Sequence, residues 1–293
     1  MEKLAIDGGP KTLTEDLPRE WPGLNWVGEE EKELVLAALV RGTGFVSQLD
    51  DELRAYFGCK WSCATNSGTG ALFAATRALG LRPGMEVLVP GFCWIPTFAC
   101  VVHTGAIPVL VEVGDDLGIE PVDMERKITP RTRAVIVVHM CGAAADLDSI
   151  MTVARRHNLL VIEDAAQDLG GQYKRQCVGL FGDIGCFSLQ QNKHCTCFNG
   201  GFMLSNNEEF GGWAEVARDA GMPRNQFNIV DRTPGLEEMW GEGRRMDALA
   251  QAMATAQLRK LPKIITAMQR SQARIKAGMG AILGVSFRPL ADP

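Results

Sequence analysis

The chain has 293 residues, 46% of them hydrophobic, and a mean hydropathy of -0.01. Thirty basic residues against 35 acidic ones give a net charge of -5, which argues against a nucleic-acid binder. No apolar run approaches the roughly 18 residues that span a bilayer. The N-terminus shows no basic stretch leading into an apolar one, so a soluble cytoplasmic protein is expected.

Residues 29–40 read as a helix that Gly42 can stop. Ser47 can cap a second helix in which Leu49, Leu53 and Phe57 recur at four-residue spacing. From about residue 60 to 205, short apolar β-branched runs alternate with helical patterns. Strands are expected at 86–90, 107–113, 134–139, 159–164, 183–189 and 201–205, and helices at 68–79, 146–157 and 208–219. This alternation predicts an α/β fold: a mostly parallel sheet with helices on both faces. Residues 213–242 are rich in Gly, Pro and Asn and read as long loops. Residues 246 to about 280 read as one or two long helices with a break at Pro262. Residues 284–289 look like the start of a strand. The expected division is a large domain over 1–245, and long helices with the start of a small domain over 246–293.

The nine cysteines are an odd number, and Cys93, Cys100, Cys141 and Cys186 sit in apolar stretches. Reduced, buried thiols are expected. Cys195 and Cys197 are too close for a usual zinc or redox pair and read as interior residues. The four histidines form no ligand-spaced cluster, so no metal is expected.

Several residues carry chemistry only when taken together. The apolar run Leu159-Leu160-Val161-Ile162 ends in Glu163-Asp164. Asp164 there is either a helix N-cap or a carboxylate at the ligand-binding end of a parallel strand. Asn66-Ser67-Gly68-Thr69-Gly70 opens a helix with small residues, as a capped start or a phosphate cradle. Trp94 follows a strand end and reads as core or as a flat ligand platform. Ser188 can offer a hydroxyl. Lys193, in Gln191-Asn192-Lys193, reads alone as a surface lysine. A lysine, a buried-type carboxylate, a flat ring and phosphate donors are what pyridoxal phosphate requires: an amine for its aldehyde, an anion at its pyridinium nitrogen, a stacking group and an anion site.

Four stretches resemble the DegT/DnrJ/EryC1/StrS family of fold type I aminotransferases. They are Thr65-Asn66-Ser67-Gly68-Thr69-Gly70-Ala71-Leu72, Val89-Pro90-Gly91-Phe92-Cys93-Trp94, Glu163-Asp164-Ala165-Ala166-Gln167, and Gly182 through Lys193, with Gly200-Gly201 following. Asp164 lies 29 residues before Lys193, and Trp94 lies 70 before Asp164, as the resemblance requires. It implies a Lys193 internal aldimine, Asp164 at the pyridine nitrogen, and Gln167 on the cofactor's ring oxygen or holding Asp164. It implies Trp94 on the ring, with Gly68, Thr69 and Ser188 on the phosphate. The reaction would move an amino group from glutamate or glutamine to a keto-sugar or keto-cyclitol in a homodimer with a shared site. Leu4-Ala5-Ile6-Asp7-Gly8-Gly9-Pro10 and Trp21-Pro22 lean toward the branch that makes aminocyclitols.

The chain also departs from the pattern. Phe198-Asn199 stands where the family reads Gly-Glu, and Gly243 stands where many relatives carry asparagine. The resemblance implies a further C-terminal segment that completes the small domain, and residues 1–293 do not include it. A partner or regulatory subunit that keeps the cofactor core is therefore a second reading. Sugar dehydration is a third, opposed by a lysine where dehydrating relatives can carry histidine, although His194 is adjacent.

Overall fold

The computed structural model describes residues 3–11, 22–41, 48–222 and 239–292. Its centre is a seven-stranded sheet made of β1 (Trp61–Thr65), β2 (Glu86–Pro90), β3 (Ile107–Val111), β4 (Thr132–Val138), β5 (Leu160–Asp164), β8 (Ile184–Ser188) and β9 (Gly201–Ser205). A small hairpin, β6 (Gln172–Tyr173) and β7 (Gln176–Cys177), precedes β8. The strand order is β1-β9-β8-β5-β4-β2-β3. Strands β3, β2, β4, β5 and β8 run parallel, β9 pairs antiparallel with both β8 and β1, and β1 thereby shares the direction of the rest. The helices are α1 (Glu29–Arg41), α2 (Gln48–Phe57), α3 (Gly68–Ala78), α4 (Ile95–His103), α5 (Pro121–Arg126), α6 (Leu147–Arg156), α7 (Glu208–Arg218) and α8 (Ala248–Met279).

Side chains alternate across a strand, so a sheet buried on both faces sorts neighbouring residues into two cores. Val135, Val137, Val161, Phe187 and Phe202 face one core with Leu49, Leu53 and Phe57 of α2, Ile150 of α6 and Leu258 of α8. Ala134, Ile136, Ile162, Cys186 and Met203 face the other, with Ala71 and Ala75 of α3, Cys100 and Val101 of α4 and Ala214 of α7. The Phe187 and Phe202 rings stack at 4.6 Å, and Phe57 meets both at a tilt, which fastens α2 to the strand that leads to Lys193.

Three expectations need correction. Pro262 does not break the last helix: α8 runs unbroken over 32 residues. Proline removes one backbone hydrogen bond there, but Leu258, Leu261 and Ile264 are buried on either side of it, and that packing outweighs the missing bond. Residues 284–289 form no strand. The segment lies on the sheet domain, where the Arg288 guanidinium donates to the carbonyls of Met140 at 2.8 Å and Cys141 at 3.3 Å. The stretch 213–242 is not loop throughout, because α7 extends to Arg218 and Gly243 and Arg245 make bridges to Asp219 and Thr65. Residues 223–238, Gly42, Ser47 and Trp21 lie outside the described residues.

The N-terminal helix is docked by a buried carboxylate. Glu31 accepts from Lys260 Nζ at 2.6 Å, Gln257 Nε2 at 2.8 Å and its own Gly28 N–H at 2.8 Å. Burial alone would raise its pKa, but these donors outweigh burial and hold it below the ordinary 4.5. A depressed carboxyl contributes stability above its unfolded pKa and loses it as pH falls through the folded value. Glu31→Ala should therefore cost about 2 kcal/mol at neutral pH, since it leaves Gln257 Nε2 without its acceptor and Lys260 with only the Trp26 carbonyl. The deficit should shrink as pH falls below about 4.5, as read by chemical denaturation of both proteins across pH.

Candidate active site

The candidate site residues lie at, or just past, the C-terminal ends of β1, β2, β5 and β8, at the sheet edge where parallel-sheet proteins bind ligands. Asp164 ends β5 and is 4% exposed. Its Oδ2 accepts from Thr97 Oγ1 at 2.8 Å and its Oδ1 from the Ala166 N–H at 3.2 Å. Burial lifts its carboxyl above the usual range, against the pull of these two donors, His139 and Lys193. Among the described residues no cation forms an ion pair with it.

Glu163, one residue earlier, faces the other core. It is fully buried, and four donors surround it: Phe181 and Gly182 N–H on Oε1 at 2.7 Å, Gly179 N–H on Oε2 at 2.6 Å, and His139 Nε2 on Oε2 at 3.0 Å. Burial pushes this carboxyl up, but the donors win and it stays below the ordinary value. His139 Nδ1 accepts from the Ala145 N–H at 3.2 Å, so its proton sits on Nε2.

Ser67 caps α3, with Oγ accepting from the Gly70 N–H at 2.9 Å. The Gly68 and Thr69 amides head the helix, where no intrahelical acceptor is available. A Cβ on Gly68 would sit 2.8 Å from Ser188 Cβ, so only glycine lets the α3 N-terminus meet the end of β8. Ser188 is buried there, with Oγ accepting from the Gln190 N–H at 3.4 Å. The structure thus brings Gly68 and Ser188 together, with Thr69 next in the chain.

Trp94 precedes α4 as its N-cap residue and remains 67% exposed, stacked on no other ring among the described residues. Gln167 Oε1 accepts from the Cys141 N–H at 3.1 Å, and it is Thr97 that holds the Asp164 side chain. Lys193 lies in the turn after β8, half-buried. Burial lowers its ammonium pKa, opposed by Asp164 and Cys141. His194 is engaged elsewhere: Nε2 meets the Leu169 carbonyl at 3.0 Å, and burial lowers its pKa. Cys141 is exposed and Cys93 half-buried, against the expectation of buried thiols, because both lie in turns past the strand ends. Phe198 holds a left-handed φ of 67° with its side chain 55% exposed and its N–H on Thr196 Oγ1. That conformation is strained for an aromatic residue and natural for the glycine of the family pattern.

Sequence reasoning gave no role to Thr97, Glu163 or His139. Thr97 was findable as the residue one helical turn past Trp94 at the start of α4. Glu163 was findable as a carboxylate that alternation must send into the opposite core, where it requires donors.

Residues 28–291 match the DegT/DnrJ/EryC1/StrS aminotransferase family. The chain is 34% identical to the Micromonospora echinospora protein named "Putative L-glutamine:3-amino-2,3-dideoxy-scyllo-inosose aminotransferase", over 99% of this chain and 69% of that one. It is 34% identical to GDP-perosamine synthase of Caulobacter vibrioides, over 87% of this chain and 68% of that one. Among solved structures, S. venezuelae DesV in complex with a ketimine intermediate superposes with a TM-score of 0.82 at 29% identity, covering 89% of this chain and 70% of that one. The chain thus spans about two-thirds of the length of each of these proteins. No helix among the described residues is long and apolar enough to cross a membrane.

An acid whose folded pKa is raised weakens the fold as pH climbs from its ordinary value, 3.8 here, through the raised one. Asp164→Asn keeps an acceptor for Ala166 and a partner for Thr97 while removing the buried charge. It should raise the stability of the cofactor-free protein at pH 7 by about 1 kcal/mol, read by thermal melting against wild type. A lower melting temperature would show that the carboxylate has a compensating partner.

Proposed function

For a chain that belongs to the DegT/DnrJ/EryC1/StrS aminotransferase family, and so to the pyridoxal-phosphate-dependent aminotransferases, we propose transfer of an amino group from glutamate or glutamine to a keto-sugar or keto-cyclitol, with Lys193 as the cofactor's attachment point. One observation carries the reading: a buried carboxylate, Asp164, with hydrogen bonds but, among the described residues, no ion-paired cation, on the strand beside the one that leads to Lys193. A protonated pyridine nitrogen is the cation such a carboxylate lacks, so the residues present fit the cofactor. The free amides of Gly68 and Thr69 beside the Ser188 hydroxyl fit its phosphate.

When bound, pyridoxal phosphate supplies a ring that accepts electrons from the substrate carbon as its proton leaves. The chain's own residues do the rest. Asp164 would sit at the pyridine nitrogen and keep a proton there, its carboxylate held in place by Thr97 and the Ala166 amide. Trp94 would stack on the ring, Gly68, Thr69 and Ser188 would hold the phosphate, and Gln167, just past β5, would lie toward the ring oxygen. Lys193 would be the attachment point, and its Nζ would take up and return the substrate's proton. Its depressed pKa suits both tasks, since each needs the neutral amine.

The acceptor class rests on the relatives' names, one an L-glutamine:3-amino-2,3-dideoxy-scyllo-inosose aminotransferase and one a GDP-perosamine synthase. The family resemblance supports a homodimer as the working unit.

Purified protein loaded with pyridoxal phosphate should show a visible absorption band that glutamate or glutamine bleaches. Lys193→Ala should remove the band and lower amino transfer by roughly 10³-fold or more. A band that no amino donor bleaches would instead favour the partner-subunit reading. A Lys193→Ala protein with wild-type band and turnover would overturn the assignment of the lysine.

A further inference from the structure

We infer that Glu163 is a positioning residue: from the face of β5 opposite Asp164, its carboxylate fastens the turn that leads into β8, and so sets where Ser188 and the Lys193 turn stand relative to Asp164. The inference rests on the proposed roles of those three residues.

The ladder that joins the two strands is short. Strands β5 and β8 pair only at Ile162–Ile184, Glu163–Gly185 and Asp164–Cys186, whereas β5 pairs with β4 at five positions. A one-residue slip turns every side chain of a strand to the opposite face, which here would move Ser188 away from Gly68. On its other side β8 pairs with β9 at four positions, and the turn before β8 adds a second hold on its β5 side. The amides of Gly179, Phe181 and Gly182 all point at the Glu163 carboxylate, and Asp183 completes the junction by exchanging bonds with Val161, its N–H to the carbonyl at 2.8 Å and its Oδ2 from the amide at 2.7 Å. A side chain on Gly185 would overlap the Gly179 carbonyl, so the turn lies directly over β8. His139, just past β4, supplies the fourth donor, and its own amide donates to the Asp164 carbonyl at 3.1 Å. One carboxylate thus ties together three consecutive strands of the sheet, holding the start of β8 to β5 and to the end of β4.

Hydrogen bonds from backbone amides to an ionised acceptor are short and strong, so they hold position well. Glutamine is nearly the same shape, but whichever way its amide turns, the NH2 faces two donors. His139 cannot relieve this by moving its proton, because Nδ1 already accepts from Ala145.

The test compares Glu163→Gln with Ile150→Ala, a buried residue of α6 in the same core whose loss reduces stability while leaving the Glu163 carboxylate and its four donors in place. The cofactor-free proteins are titrated with pyridoxal phosphate, and the pH midpoint of the visible band is measured on the loaded proteins. We expect Glu163→Gln to weaken pyridoxal phosphate binding by roughly 10- to 100-fold and to shift the midpoint, the scale expected of a small misplacement between reacting groups. Ile150→Ala should melt earlier with both readouts as in wild type. Wild-type affinity and midpoint in Glu163→Gln would overturn the inference and leave Glu163 a packing residue. If Glu163→Gln does not fold, Glu163→Asp keeps the charge but is too short to meet all four donors. Wild-type readouts there would overturn the inference equally. Wild-type protein that binds no pyridoxal phosphate would defeat the functional reading itself, a result distinct from either.

Discussion

Adjacent residues of a strand face opposite sides, and this constraint governs the end of β5. Glu163 and Asp164 are both carboxylates, both buried, and one peptide apart. The surroundings treat them oppositely. Glu163 meets four donors and stays ionised as part of the frame. Asp164 meets two, and burial pushes its pKa up. A buried charge without a counter-charge is costly, and it persists where a ligand supplies what the protein leaves out. The contrast between the two neighbours separates a site from a structural bridge better than either residue alone.

The rest of the fold delivers partners to that carboxylate. A parallel sheet brings the C-terminal ends of β2, β4, β5 and β8 to one edge, and β1, which shares their direction, brings the α3 N-terminus to the same edge. The α4 helix starts there with Trp94 and presents Thr97 one turn later. Glycines permit the close contacts: Gly68 lets α3 touch Ser188, and Gly201 packs behind it, where a Cβ would lie 2.5 Å from the Gly68 nitrogen. From beyond the sheet, the turn Pro22–Trp26 lies against the Lys193 carbonyl, with Gly23 too close there to carry a side chain.

The strands were legible because a two-sided sheet writes long apolar runs into the sequence; β2 and β9 fall at the expected residues, and β3, β4, β5 and β8 differ by one or two at their ends. Helix α2 was legible from Leu49, Leu53 and Phe57, all buried. Helix α4 and the β6–β7 hairpin were not read, the first because its nearly continuous apolar face lacks a clear period, the second because two-residue strands carry no pattern. Pro262 misled because propensity is local, whereas the helix is held by burial on both sides of it. At the site, residue types gave the lysine, carboxylate, ring and glycines. Spacing could not show that Thr97 holds Asp164, since that contact spans 67 residues.

The central claim is that Lys193 and no other lysine carries the cofactor. Borohydride reduction of protein loaded with pyridoxal phosphate, followed by peptide mapping in a mass spectrometer, tests it directly. The account predicts a pyridoxyl label on Lys193 in wild type and none at that peptide in Lys193→Ala. A label on another lysine of the wild-type protein, or a loaded protein in which no lysine is labelled, would contradict it.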